Sequence, residues 1–379
     1  MEMDKTKATK SSTKRWLSLI DALGEELAAN GITHDHNATV VADNYDLLKA
    51  NGYLTAMIPK ALGGGGVPFK EMCDILVKIA HYCPSTALAL SMHQHLLAAN
   101  IWKYTHHGTG GSFLKEVVKN NLVLVSTGAR DWLDSNGTMI KTDTGYLVSG
   151  RKQFASQSAL GDVLVTSMPY HDPKEGWQVL HFTVAMTSEG IALLDDWYTL
   201  GMRGTGSQTV TLDNVFVPNA AIVMKRLKGE FPMFWNAVLT VALPLTMAPY
   251  VGIAEKAMTL TLEMLKVKQR KSPHITIMLG DIYNSLTLAQ VLHNDMIAIT
   301  NNLDFQTEAK MGVAVLTRKT LVANACKDTV TKAMGIVGGQ SFYKKHHLER
   351  LFRDVQAASF HTLPEKEQQH FTGDFLLKS

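Results

Sequence analysis

Cysteine is scarce. The three cysteines among 379 residues, Cys73, Cys83 and Cys326, lie far apart and form no C-x-x-C pair. This argues against a zinc site or a disulfide framework and predicts a reducing compartment, the cytoplasm. An excess of one charge is also missing: 37 basic side chains stand against 34 acidic ones, a net charge of +3. With no continuous positive field, nucleic acid is not an expected partner. The first fifteen residues contain Glu2 and Asp4 and no apolar run before Trp16, so they do not read as a signal peptide but as a frayed, disordered tail. Long apolar runs are nearly absent. The membrane candidate is Phe231 to Ala254, uncharged over a bilayer's length, but Asn236, Pro244 and Pro249 interrupt it, which favours a buried bundle helix over a membrane span.

What is present falls into three regions. From residue 16 to 120 the apolar period is helical: Leu17, Ile20, Leu23 and Leu27 recur at spacings of three and four, and Gly52 closes NYDLLKANGYL, as a left-handed cap requires. Within this region Gly63 to Gly66 lack the Lys-Ser/Thr of a phosphate loop and read as a flexible connector. His93 and His95 sit among apolar residues at helical spacing. From 121 to 225 short β-rich runs such as MIKTDTGYLVSG and TVTLDNVFVP, punctuated by Gly, Pro and Asp, predict a compact antiparallel sheet or barrel. From 226 to 379 helices return. Ala309, Val313, Leu316, Thr320, Ala323, Cys326, Val330, Met334 and Val337 make one stripe fitted to a helical bundle and to a second subunit. The expected fold is α+β: an N-terminal helical domain, a central β domain and a C-terminal helical bundle.

Specific words then fall in order: GRKQFASQSALGDVLV, LGMRGTGSQTVTLDNVFVP, YVGIAEKAM, GIVGGQSF and LERLFRD. From about Tyr53 to Arg353 the chain resembles the acyl-CoA dehydrogenase family of flavoproteins. The resemblance implies FAD, a homodimer or homotetramer, an acyl-CoA or other small thioester as substrate in fatty acid metabolism, and electron transfer to an electron-transfer flavoprotein. It places Phe154, Ala155 and Ser156 against the flavin, where an aromatic face excludes water and a hydroxyl can donate to the reduced ring. Arg270 and Ser272 fall where the family holds the pyrophosphate, although Pro273 stands in place of the usual Phe. Gly338 and Gly339 match a Gly-Gly that lets backbone approach the cofactor, with Gly335 in place of the customary Gln. Ser126 and Thr127 fall in the flavin loop, and Arg203 would steady the loop leading to the site or hold a phosphate.

A dehydrogenase of this kind needs a carboxylate to take the proton beside the thioester carbonyl. At the family's two positions for it the chain has Thr362 and Ala242, neither of which accepts a proton. Two catalytic candidates lie in the segment Ala358 to Gly373. Glu365, three residues beyond Thr362, would be the base of a dehydrogenase; Glu365 and Glu367 also suit a helix start. His361, together with His93 and Ser156, resembles the site of flavin monooxygenases sharing the fold, which need no carboxylate and would use FMN supplied by a flavin reductase. α,β-Dehydrogenation of an acyl thioester is the leading expectation. The monooxygenase is the alternative, followed by a non-catalytic relative that binds a flavin or acyl ligand.

Overall fold

The computed structural model describes residues 2–128, 131, 133–267 and 272–378, with side chains from residue 15 onward. Five helices open the chain: α1 (Glu2–Asn37), α2 (Ala42–Ala50), α3 (Phe69–Tyr82), α4 (Pro84–His107) and α5 (Gly111–Asn120). Helix α1 starts at Glu2, so the segment expected as a tail is the beginning of a helix. The apolar period produces the packing directly. On α3, Phe69, Met72, Cys73, Leu76, Ile79 and Ala80 are buried at spacings of three and four, one face of a 3.6-residue helix.

The four-glycine connector is packed rather than flexible. The N–H groups of Gly63, Gly64, Gly65 and Gly66 donate to the carbonyls of Lys60, Pro59, Thr55 and Ile58, so none is free to cradle a phosphate. A Cβ on Gly64 would lie 2.3 Å from the Ile58 oxygen, which is why only glycine fits there.

The middle of the chain forms two four-stranded sheets. Strands β1 (Leu124–Ser126), β4 (Val163–Asp172), β5 (Gly176–Ala185) and β8 (Ile222–Leu227) make one, in that order. Strands β2 (Thr138–Lys141), β3 (Gly145–Lys152), β7 (Val210–Pro218) and β6 (Ile191–Leu193) make the other. The sheets share a core in which Leu164, Met168 and Phe182 of the first meet Val148, Val210 and Val215 of the second. The expected sheet or barrel is thus an open pair of sheets, and one pairing departs from the antiparallel rule: β1 runs parallel to β4, with Leu124 opposite Val163.

The last region is a bundle of α6 (Met233–Val267), α7 (Pro273–Ile299), α8 (Ala309–Val337), α9 (Leu348–Val355) and α10 (Glu365–Lys378). Among the described residues α6 and α7 are long and apolar enough to cross a membrane, but 94% of the apolar window of α6 is buried against other helices. It is the bundle's central helix. The stripe on α8 buries Leu316, Thr320, Ala323, Cys326, Val330 and Val337.

Candidate active site

A cavity of about 500 Å³ opens where the sheets, α4, α6 and the segment after α9 converge. Helix α6 gives it one face, Trp235, Val238, Leu239, Ala242 and Thr246, whose spacing sets them in line along the helix. Helix α4 adds Leu88, Met92 and His95, the end of β1 and the loop after it add Ser126, Thr127 and Gly128, and the chain beyond α9 adds Phe360, His361 and Thr362. Phe154, Ser156, Trp197 and Ser207 line it from the sheet side. Both positions implied for a catalytic carboxylate, Ala242 and Thr362, therefore face one space, and no carboxylate lines it among the described residues.

Several devices hold this wall. Phe154 has φ +56° and is 60% exposed, a conformation that costs a bulky L-residue energy and that the surroundings must impose. Its ring makes an edge contact with Trp197, centroids 6.1 Å apart. Gly128 admits the close approach: its N–H donates to Gln153 O at 2.9 Å, and a Cβ would lie 3.3 Å from the Phe154 ring. Thr127 is fixed from behind, donating to Asp131 Oδ2 at 2.6 Å beside Thr166 at 2.7 Å. Asp131 also pairs with Lys152, a fully buried ammonium that donates to Ser167 O at 2.6 Å and Asn136 O at 2.9 Å. Burial lowers the Lys152 pKa, while the Asp131 carboxylate opposes that shift.

Three hydroxyls form a directed chain. Thr205 Oγ1 donates to Met202 O at 2.9 Å, so it accepts from Ser207 at 2.8 Å, and Ser207 accepts from Ser156 at 2.8 Å. Each hydroxyl has one proton to give. Ser156 spends its proton inward and offers lone pairs to the cavity, opposite to the donation expected from sequence.

Ion pairs fasten the floor. The buried Asp354 accepts the Met202 N–H at 2.5 Å. Arg353 forks onto Asp35 at 3.0 and 2.7 Å and pairs with Glu349 at 2.8 Å. Its charge is thereby committed, and its pKa is raised by these hydrogen bonds against the opposing effect of burial.

The sequence-derived candidates separate as follows. Ser126, Thr127, Phe154, Ser156 and His361 come together around the cavity. Ala155 is in the sheet core, its N–H donating to Gln208 O. His93 does not line the cavity. Its Nε2 donates to Leu54 O at 2.9 Å and its Nδ1 accepts from Leu124 N at 3.0 Å, satisfying the open edge of β1. His95, two residues on and therefore about 200° around the helix, is the histidine at the site. Arg203 is also apart, its Nε donating to Thr199 O at 3.0 Å to brace the 199–205 turn. Glu365 is exposed at the start of α10, accepting from Asn324 at 3.2 Å and Gln369 at 3.0 Å. Ser272 caps α7 through Ile275 N at 3.3 Å, and Arg270 lies outside the described residues. Gly338 and Gly339 line a separate open depression with Gln340, Tyr343, Lys345 and His346.

Both cavity histidines are neutral at ordinary pH. Burial pushes the pKa of His95 down to about 4. Burial, then the charges of Lys319 and His95, push that of His361 to about 3. Thr205, Ser207, Trp197 and Trp235 were not singled out from sequence, and His95 was noted only as the helical neighbour of His93.

Helices around paired sheets, closing on one apolar cavity with a few convergent hydroxyls and imidazoles, define a small-molecule site. Residues 18–120 match the acyl-CoA dehydrogenase N-terminal domain and residues 245–365 the acyl-CoA dehydrogenase C-terminal domain; the chain belongs to the acyl-CoA dehydrogenase family. Among its relatives is the amino sugar nitrososynthase DnmZ of Streptomyces peucetius, 26% identical over 366 residues, covering 92% of this chain and 89% of the relative. Two solved structures share the fold. KijD3, in complex with FMN and a dTDP-linked amino-keto sugar, has a TM-score of 0.87 at 23% identity and covers 97% of this chain and 94% of its own. FMN-bound TdsC from Paenibacillus sp. A11-2 has a TM-score of 0.82 at 18% identity and covers 96% and 97%.

Proposed function

We propose that the protein is a flavin-dependent monooxygenase acting on an uncharged, largely apolar small molecule. The observation that carries this reading is a cavity that no carboxylate lines among the described residues: Ala242 and Thr362 occupy the two implied base positions, and Glu365 lies outside. α,β-Dehydrogenation cannot begin without a proton acceptor beside the thioester, whereas oxygen transfer can. The cavity also suits a flavin. Phe154 and Trp197 offer aromatic faces, Ser156 offers an acceptor, and Ser126 and Thr127 offer hydroxyls on a braced loop. FMN in KijD3 and TdsC supports this cofactor over FAD. Bound flavin would supply the redox and oxygen chemistry. The chain's own residues exclude water through Trp235, Leu239 and Phe360, orient the substrate, and place neutral imidazoles beside it.

The working form is a homo-oligomer served by a flavin reductase. Ile277, Leu288 and Val291 are 72%, 51% and 58% exposed on one face of α7, an apolar stripe suited to a second copy of the chain.

Reconstitution with FMN or FAD, followed by two assays, tests the function. We expect no acyl-CoA in a panel to bleach the flavin under argon, and reduced flavin with oxygen to hydroxylate or otherwise oxygenate members of an aromatic and heterocyclic panel. Thioester bleaching would restore the family's dehydrogenase activity to this chain. A protein that binds neither flavin, or is inert in both assays, would be a non-catalytic relative.

A further inference from the structure

Tyr250 lies outside the cavity, fully buried on α6 between Pro249 and Val251. Its hydroxyl is 2.5 Å from His361 Nε2, with ring centroids 5.3 Å apart. His361 is partly exposed and lines the cavity; Tyr250 takes up its Nε2, while its Nδ1 makes no hydrogen bond among the described residues and is not one of the buried unpartnered atoms. Helix α8 holds the same turn from another side: Lys319 donates to Leu363 O at 2.7 Å, where Leu363 has φ +52°. Among the described residues the groups that act on the imidazole are Tyr250 on α6, Lys319 on α8 and His95 on α4; Arg353 lines the same cavity, and the Asp354 carboxylate is felt by Tyr250.

A buried phenol keeps its proton, since burial raises the pKa of Tyr250 well above the ordinary range. Among the described residues this is the hydroxyl's one hydrogen bond, and a buried O–H needs an acceptor, so it donates to Nε2, whose lone pair is used. A neutral imidazole has one N–H, and the remaining nitrogen must carry it.

We infer that Tyr250 is a positioning residue that fixes His361 as the Nδ1–H tautomer, making His361 a hydrogen-bond donor to the cavity and not a base. With the lone pairs of Ser156 on the sheet side, the site then has a built-in polarity: a donor at His361 and an acceptor at Ser156. Its ligands carry an acceptor toward the bundle and a donor toward the sheets. The inference concerns the free chain and stands whichever reaction the flavin performs.

Ring-nitrogen NMR of protein carrying isotope-labelled histidine tests it without cofactor or substrate, with the His361 signals assigned by their loss in His361→Gln. In the wild type we expect Nδ1 protonated and Nε2 not, unchanged between about pH 5 and 8. Tyr250→Phe removes the donor, and its spectrum should become a mixture of both tautomers, while a wild-type-like spectrum in that variant would deny Tyr250 its role. Protonated Nε2 in the wild type, or titration of His361 within that range, would overturn the inference even if the variant failed to fold.

Discussion

At the residue scale the active-site reading turns on which polar groups face the cavity. Glu365→Gln should leave flavin absorbance and turnover unchanged within about twofold, since the carboxylate is exposed and holds only Asn324 and Gln369. A collapse of turnover measured at saturating substrate would return Glu365 to the role of base. Asp131→Asn should act on stability instead. It leaves the buried Lys152 ammonium without its counter-charge, which costs about 3–5 kcal/mol and should appear as a lowered urea midpoint. Legibility from sequence differs sharply among residues. Phe154 and Ser156 could be placed because they sit inside a distinctive wording. His93 and His95 could not be told apart, because the helical period was visible but its phase against the cavity was not. The choice was decided by the open edge of β1, a long-range partner that no local pattern announces. Lys152 and Asp131 are 21 positions apart, and spacing of that kind leaves no periodic trace.

At the element scale the turn from Asp196 to Ser207 is held to α9 by a close backbone contact. Gly201 packs on the backbone of Arg353, where a Cβ would meet the carbonyl oxygen at 2.3 Å. Gly201→Ala should therefore push the turn off α9, costing about 1–3 kcal/mol and altering the quenching of Trp197 fluorescence by bound flavin. Unchanged stability and quenching would show that the turn does not depend on this contact. The helices themselves were legible, because amphipathic stripes such as that of α8 repeat over many turns. The paired sheets were less so. Alternation identifies strands but not which sheet each joins, and the parallel β1 to β4 pairing is made across 39 residues of sequence.

At the scale of the whole molecule, four histidines make the fold acid-sensitive. His93 and His95 are held at about 4, and His181 and His361 at about 3, against 6.5 when unperturbed, with burial the main cause in each. As pH falls, the unfolded chain takes up these protons first. The stability they confer is complete above about 6.5 and is lost progressively between there and pH 4 to 3. Urea midpoints measured across that range should fall steeply, and a flat profile would show that these imidazoles are protonated in the native state. The three-part order was the most legible feature of all, because it depends on composition and period over a hundred residues at a time.

The left-handed backbone at Phe154 has an evolutionary corollary. Glycine would relax that position and remove the ring that walls the cavity, so selection for heat resistance alone would erode the site at this residue. Keeping an aromatic side chain there despite its conformational cost is what retained activity should look like in descendants of this chain.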